Sequence, residues 1–385
     1  FFDCPVEVHL RDEPILTPTA VEQLTDQALN RPGWVTSTFK RMDVSSLRTG
    51  PLLDVVALDD RIAVLGLPPD RQEDPSARCS DGIERPRSLY LVQPNDLSPI
   101  STVPFPPCSE HLAADPLGDG FVFVFRRTDE RRWWLGRTDI NGTVTQQAPL
   151  PVFDNRNVQD FEPAIDGSGR LFALVIEGSV QSASYADILS IDLQTFAVTS
   201  TTTVSGRYMS VGTTTDGEML LGNSGDLDFS FIRGPLDRIN SGQRVPYRPP
   251  GDFRLDLRIV AGAESGRGAV YSVTYNRPAV VGVRGFTVLP AGPLDFDFQP
   301  GPIVPWPAYP GRVLVGGITA LRSDVDDSGV LYGYDVDTGR LMPGPLVMSR
   351  SAVTDIDVGA DGIVYALYGW SGELARLVDT SSTAP

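Results

Sequence analysis

The residues with the clearest capacity for chemistry are the oxygen donors of "DVDDSGVLYGYD", residues 324–335. Asp324, Asp326 and Ser328 stand at alternating positions, Gly329 permits a sharp turn, Val330 offers its carbonyl, and Asp335 closes the stretch with a carboxylate. Hard oxygen ligands in that pattern suit Ca²⁺. An ion held there would pin a loop rather than catalyse. The same residues also read as an acidic hairpin loop in a chain with 49 carboxylates.

A second constellation lies in "FRRTDERRWWLGR", residues 125–137, where Arg126, Arg127, Arg131, Arg132 and Arg137 gather around Trp133 and Trp134. Arg and Trp are enriched at interface hot spots, and a guanidinium stacks well on an indole. This stretch is expected to be a hairpin whose edge docks an anionic protein or a glycan. The competing reading buries one Trp in the core and pairs the arginines with nearby acids. "PGPIVPWPAYPG", residues 300–311, adds Trp306 and Tyr309 as binding candidates on a stiff proline-rich segment, or as locally packed aromatics.

Catalytic signals are sparse. With only His9 and His111, a His-rich metal site is excluded and a Ser-His-Asp triad has little to draw on. Cys79 and Cys108 are expected to form a disulfide across a loop, which leaves Cys4 odd. Lipidation acts on the first mature residue, and three residues precede Cys4. The chain opens on Phe1 rather than Met, as a processed product does, so an extracellular, cell-surface or periplasmic location is expected. A net charge of −17 argues against a nucleic-acid partner, because phosphate-backbone binding needs a basic surface. No stretch is apolar for long enough to form a spanning helix, although association with an envelope stays open.

These candidates must be positioned by repeated elements. Short apolar runs follow turns at Asp60, Asp119, Asp166, Asp216, Arg267, Gly311 and Asp361, at intervals of roughly fifty residues. A second series, at Asn95, Asp139, Asp192, Asp337 and Asp379, places an Asp or Asn turn between two short strands. Four short strands per repeat is the plan of a propeller blade. Runs such as "FVFVF" and "LFALVI" do not alternate with polar residues, so they are expected to be inner strands buried on both faces.

The turn pattern resembles the Asp-x-x-Gly-x-hydrophobic-aromatic turns of the NHL and SMP-30-like propeller families, and residues 324–335 resemble an EF-hand calcium loop whose final Glu is here Asp335. The expected fold is therefore all-β: a seven-bladed β-propeller of four-stranded blades over residues 34–385, with eight blades still open. Residues 1–33 form an N-terminal extension with a short helix over 17–30, and residues 34–50 supply a strand and hairpin that complete the last blade. The function expected first is an exported, non-catalytic module that binds protein or glycan, as a subunit of a surface or envelope assembly. One alternative is a propeller hydrolase, lactonase or lyase with carboxylates such as Glu162, Asp355 and Asp357 in the central channel. Another is a purely structural lattice subunit.

Overall fold

In this computed structural model the described residues are 39–43, 52–68, 79, 83–151, 157–162, 170–176, 185–205, 208–213, 218–224, 229–235, 243–247, 257–261, 267–272, 279–284, 287–288, 298–306, 309, 311–319, 328–335, 338, 340–341, 347–349, 353–369 and 372–379. All of their regular structure is β-strand. After β1 (Phe39–Asp43) come β2 (Leu52–Ala57), β3 (Ile62–Gly66), β4 (Arg87–Val92) and β5 (Pro99–Phe105), which form the first sheet. The second sheet holds β6 (Ser109–Ala114), β7 (Phe121–Arg127), β8 (Arg132–Thr138) and β9 (Val144–Pro149). The third holds β10 (Asn157–Glu162), β11 (Arg170–Ile176), β12 (Tyr185–Asp192) and β13 (Ala197–Ser205).

The fourth sheet comprises β14 (Tyr208–Thr213), β15 (Glu218–Ser224), β16 (Phe229–Pro235) and β17 (Gln243–Tyr247). The fifth comprises β18 (Leu257–Ala261), β19 (Arg267–Ser272), β20 (Ala279–Arg284) and β21 (Thr287–Val288). In the sixth, β22 (Phe298–Pro305), β23 (Arg312–Thr319), β24 (Ser328–Asp335) and β25 (Arg340–Leu341) are joined by β26 (Val347–Ser349), which pairs with β24. The last combines β27 (Asp355–Val358), β28 (Val364–Tyr368) and β29 (Glu373–Asp379) with β1, whose Phe39 lies opposite Asp379. Every pairing is antiparallel between described strands, as short turns require. The helix expected over residues 17–30 lies outside the described residues.

The doubly buried runs are real, but they are second strands rather than innermost ones. β3, β7 and β28 each follow a more polar first strand, and it is the first strands that lie against one another from sheet to sheet. Burial on both faces comes from sandwiching between neighbouring sheets, which a second strand experiences fully. Along β3, Ile62 and Val64 join a cluster with Tyr365, Leu367 and Leu374 of the last sheet. The alternate residues Ala63 and Leu65 join Leu112, Phe121 and Phe123 of the second sheet. β7 repeats this pattern, sending Val122 and Val124 toward Leu189 and Ile191 of the third sheet. β28 does so as well, with Val364 and Ala366 packing on Leu314 and Leu331 of the sixth.

The expected turn chemistry holds where side chains are described. Asp139 Oδ1 accepts the N–H groups of Asn141 (2.9 Å) and Thr143 (2.8 Å), while Gly142 takes φ 79°. Asp192 Oδ1 accepts those of Gln194 and Thr195, and Asp361 Oδ1 that of Ile363. Cys79 and Cys108 form the expected disulfide, with a Cα–Cα distance of 5.7 Å. It ties the β3–β4 connection to the start of the second sheet.

Close packing makes small residues obligatory at some contacts. A Cβ on Gly136 would stand 2.2 Å from the ring of Phe123, which is fully buried and hemmed in by Phe105 at 4.5 Å and Phe125 at 5.5 Å. Gly136→Ala is therefore expected to destabilise the protein by about 1–3 kcal/mol. Urea denaturation would read this as a lower midpoint with an unchanged slope; an unchanged midpoint would show that the Phe123 ring is free to move.

Candidate functional site

Three aspartates meet where the first sheet packs on the last. β2 and β27 each end a sheet, so alternate N–H groups on their outer edge have no strand partner. Carboxylates of the neighbouring sheet supply one. Asp355 Oδ2 accepts from Val55 N–H at 2.8 Å, and Asp357 Oδ2 accepts from Ala57 N–H at 2.7 Å. One sheet further round, Asp54 Oδ2 accepts from Leu112 N–H of β6 at 2.7 Å.

The same carboxyl groups are coupled electrostatically. Burial pushes Asp357 up to about 7, against the pull of its hydrogen bonds from Ala57 and Val358. Burial also raises Asp54 well above the usual carboxylate range, helped by the charge of Asp355 and by the hydrogen bond between the two side chains. Burial and the neighbouring Asp355 carboxylate both favour the neutral form of Asp54. Both Asp54 and Asp357 are partly buried.

The sequence singled out Asp355 and Asp357 among scattered acids, whereas Asp54 was not singled out. Its signal was present in "LLDVVA", a carboxylate inside an apolar strand, which needs a partner to be tolerated there. Several first strands, including β2 with Asp54, also carry an irregularity, whereas β27 with Asp355 and Asp357 is regular. Pairing with the second strand shifts register between Leu52 and Asp54, Ser109 and His111, Val158 and Asp160, and Tyr208 and Ser210. A bulge of this kind re-aims the residue that follows it. Glu162 stands at the far end of β10, opposite Phe172. Among the described residues, no group of three His, Cys, Asp or Glu side chains is placed to hold a metal ion.

The arginine and tryptophan residues fall on the β7–β8 hairpin, as expected, but they separate into core and surface. Trp133 is buried with Val122, Val124, Leu135 and Leu189. Trp134 is half-buried: the Arg127 guanidinium lies 4.1 Å from its ring centroid, and its Nε1–H donates to Glu130 Oε2 at 3.2 Å. Glu130 Oε1 pairs with Arg127 Nη1 at 2.9 Å. Arg127 lies directly opposite Arg132 across the hairpin, and Arg126 opposite Trp133. Arg131 is exposed at the turn with φ 52°. Arg137 instead serves the core, pairing with Asp115 at 2.6 Å and donating to the Leu193 carbonyl of the third sheet.

The proline-rich stretch turns inward. Trp306 is 1% exposed and packs with Leu314, Leu331 and Ile356. Tyr309 meets it edge-on at 4.5 Å and carries the Arg312 guanidinium 5.2 Å from its ring. Of the proposed calcium ligands, Asp324 and Asp326 lie outside the described residues. Ser328 and Asp335 are the two ends of β24, so extended geometry separates them by roughly 23 Å. That spacing is too great for one ion, and Asp335 Oδ1 instead accepts the N–H of Thr338 in the following turn.

No family model matches the sequence, and no curated protein matches it. Solved structures do. The chain is similar to a Dos1 propeller at 10% identity and a TM-score of 0.56, over 89% of this chain and 94% of that one. It is similar to Kuenenia stuttgartiensis hydrazine synthase at 12% identity and 0.60, over 86% and 96%. It is also similar to the β-propeller domain of the Trilobed protease from Pyrococcus furiosus at 12% and 0.53, over 86% and 92%. Identities this low speak for the fold alone: the chain is a β-propeller.

The aspartate seam makes stability depend on pH in a definite direction. Because the folded Asp357 holds its proton up to about 7 while an unfolded Asp loses it near pH 4, stability falls as pH rises through that window. The contribution is of the order of a few kcal/mol. Asp357→Asn keeps the acceptor for Ala57 and removes the titration, so the variant should gain on the wild type between pH 5 and pH 8 in urea denaturation. Parallel pH dependence in the two proteins would refute the assignment.

Proposed function

We propose that this chain is an exported, non-catalytic propeller of seven blades, closed by β1 in the last blade, that binds an acidic segment of a protein partner along the β7–β8 hairpin. The observation that carries this reading is the pair Arg127 and Arg132, directly opposite across two strands. Like charges in that relation weaken a sheet. An acidic partner turns the cost into attraction, and Trp134 beside them offers the amphipathic surface on which hot spots are built.

Several features support the rest of the reading. The described strands fall into seven sheets, and β1 pairs with β29 although it precedes the first of them. The Cys79–Cys108 disulfide suits an oxidising compartment outside the cytosol. Asp54, Asp355 and Asp357 are engaged with backbone N–H groups of adjoining sheets, which gives these acids a structural task. The hairpin carries Arg126, Arg127, Arg131 and Arg132 against Asp129 and Glu130, a locally positive segment on a chain of net charge −17 that suits an acidic partner.

The test is affinity capture from the native source with wild type, Arg132→Glu and Trp134→Ala as baits. A partner that elutes with raised salt and is lost from both variants is the expected result, with Arg132→Glu costing at least about tenfold in affinity. A partner retained by both variants would move the interface elsewhere. Binding of an anionic polysaccharide, with no protein captured, would replace the protein reading with the glycan one.

A further inference from the structure

The outer strands of the sheets present hydrogen-bonding edges to their surroundings, and most of them are protected. β5 carries Pro99 and Pro104, β9 carries Pro149, and β17 carries Pro246. β21 and β25 are two residues long. Proline and shortness are the usual defences of a sheet edge against strand addition. β13, "AVTSTTTVS", has neither: it runs for nine residues without proline and without charge. Thr201 and Thr203 are exposed, and among the described residues no strand pairs with its outer edge.

We infer that β13 is a self-association edge at which a second copy of this chain adds antiparallel, joining two four-stranded sheets into one. Two observations favour a second copy as the occupant. The first is charge: copies of net charge −17 repel one another, and β13 offers an uncharged strip along which they can meet. The second is self-complementarity. The register irregularity between Ser190 and Ile191 places an extra residue, Thr199, at the start of β13, which leaves Ser200–Ser205 regular. A two-fold axis through Thr202 sets Thr202 opposite itself, Thr201 opposite Thr203 and Ser200 opposite Val204. Threonine pairs across antiparallel strands are favourable, and a two-fold contact must suit its own copy.

The strand is held ready for this. Thr203 Oγ1 donates to Asp187 Oδ1 at 2.5 Å, and Thr199 Oγ1 donates to the Ser190 carbonyl at 3.0 Å, so both side chains are fixed onto β12. The edge is therefore ordered before a partner arrives, which lowers the entropic cost of association. The surface is separate from the β7–β8 hairpin, so either reading can fail without the other.

Sedimentation velocity over a concentration series tests the inference on the full chain. Wild type is expected to pass from monomer to dimer. Thr201→Lys combined with Thr203→Lys places like charges opposite one another and should weaken the dimer at least about tenfold. Thr201→Glu combined with Thr203→Lys, which keeps a cation opposite Asp187, instead sets a carboxylate against an ammonium of the other copy and should restore association. A wild type that stays monomeric throughout, a dimer indifferent to the lysine pair, or a mixed-charge variant no tighter than the lysine pair would each overturn the proposal.

Discussion

A strand that ends a sheet on its inward side has a row of backbone N–H groups with no strand to receive them, and the packing of this chain depends on covering that row. An unpaired buried N–H costs about 1–3 kcal/mol. Water is a poor remedy where two sheets press together. The first and last sheets use carboxyl oxygens instead, so that Asp355 and Asp357 lie along the edge of β2 much as a strand would. Asp54 repeats the device toward β6. The consequence is electrostatic: three carboxyl groups are brought close together in poorly solvated surroundings, and protonation is the cheapest way to tolerate them.

The seam between first and last sheets joins residues 300 apart in sequence, whereas Asp54 and Leu112 are 58 apart. Loop-closure entropy grows only logarithmically, so the longer connection costs about 1.5 kcal/mol more. The seam outweighs that with a buried cluster of Leu52, Val55, Ile62, Val64, Tyr365 and Leu367. Polar groups add direction to it: Leu52 N–H donates to the Gly369 carbonyl at 3.0 Å, and the Tyr365 hydroxyl donates to the Pro94 carbonyl at 3.2 Å. Other seams use arginine for the same task. Arg61 reaches the Ile140 carbonyl of the second sheet, and Arg137 the Leu193 carbonyl of the third. Fixing partners by hydrogen bonds at these seams holds register where hydrophobic contact alone would permit sliding.

What the sequence revealed was local chemistry, and what it concealed was neighbourhood. The turns at Asp139, Asp192 and Asp361 were legible because a carboxylate caps N–H groups only two to four residues away. Strands buried on both faces were legible because β3 and β7 lack polar alternation. Their place in the sheet was misread, since periodicity reports how many faces are covered and not by what. Trp133 and Trp134 look alike in sequence, but alternation along β8 sends one into the core and leaves the other half-buried. The calcium pattern counted oxygen atoms along a loop, and the pairing of Ser328 with Thr319 and of Asp335 with Arg312 stretches its second half into β24.

Distance from the centre then decides which residues are available for recognition. Near the centre, acids must serve the unpaired edges of first strands, and their protons are set by burial. In second strands such as β3, β7 and β28 both faces are taken up by adjoining sheets, and even Arg137 on β8 and Trp306 between β22 and β23 are drawn into packing. Only outer strands and hairpin ends escape these demands. Their side chains can keep features that packing does not require, such as opposed arginines on β7 and β8 or an uncharged run of threonines on β13. A residue choice that costs stability locally is the kind that points outward, toward another molecule.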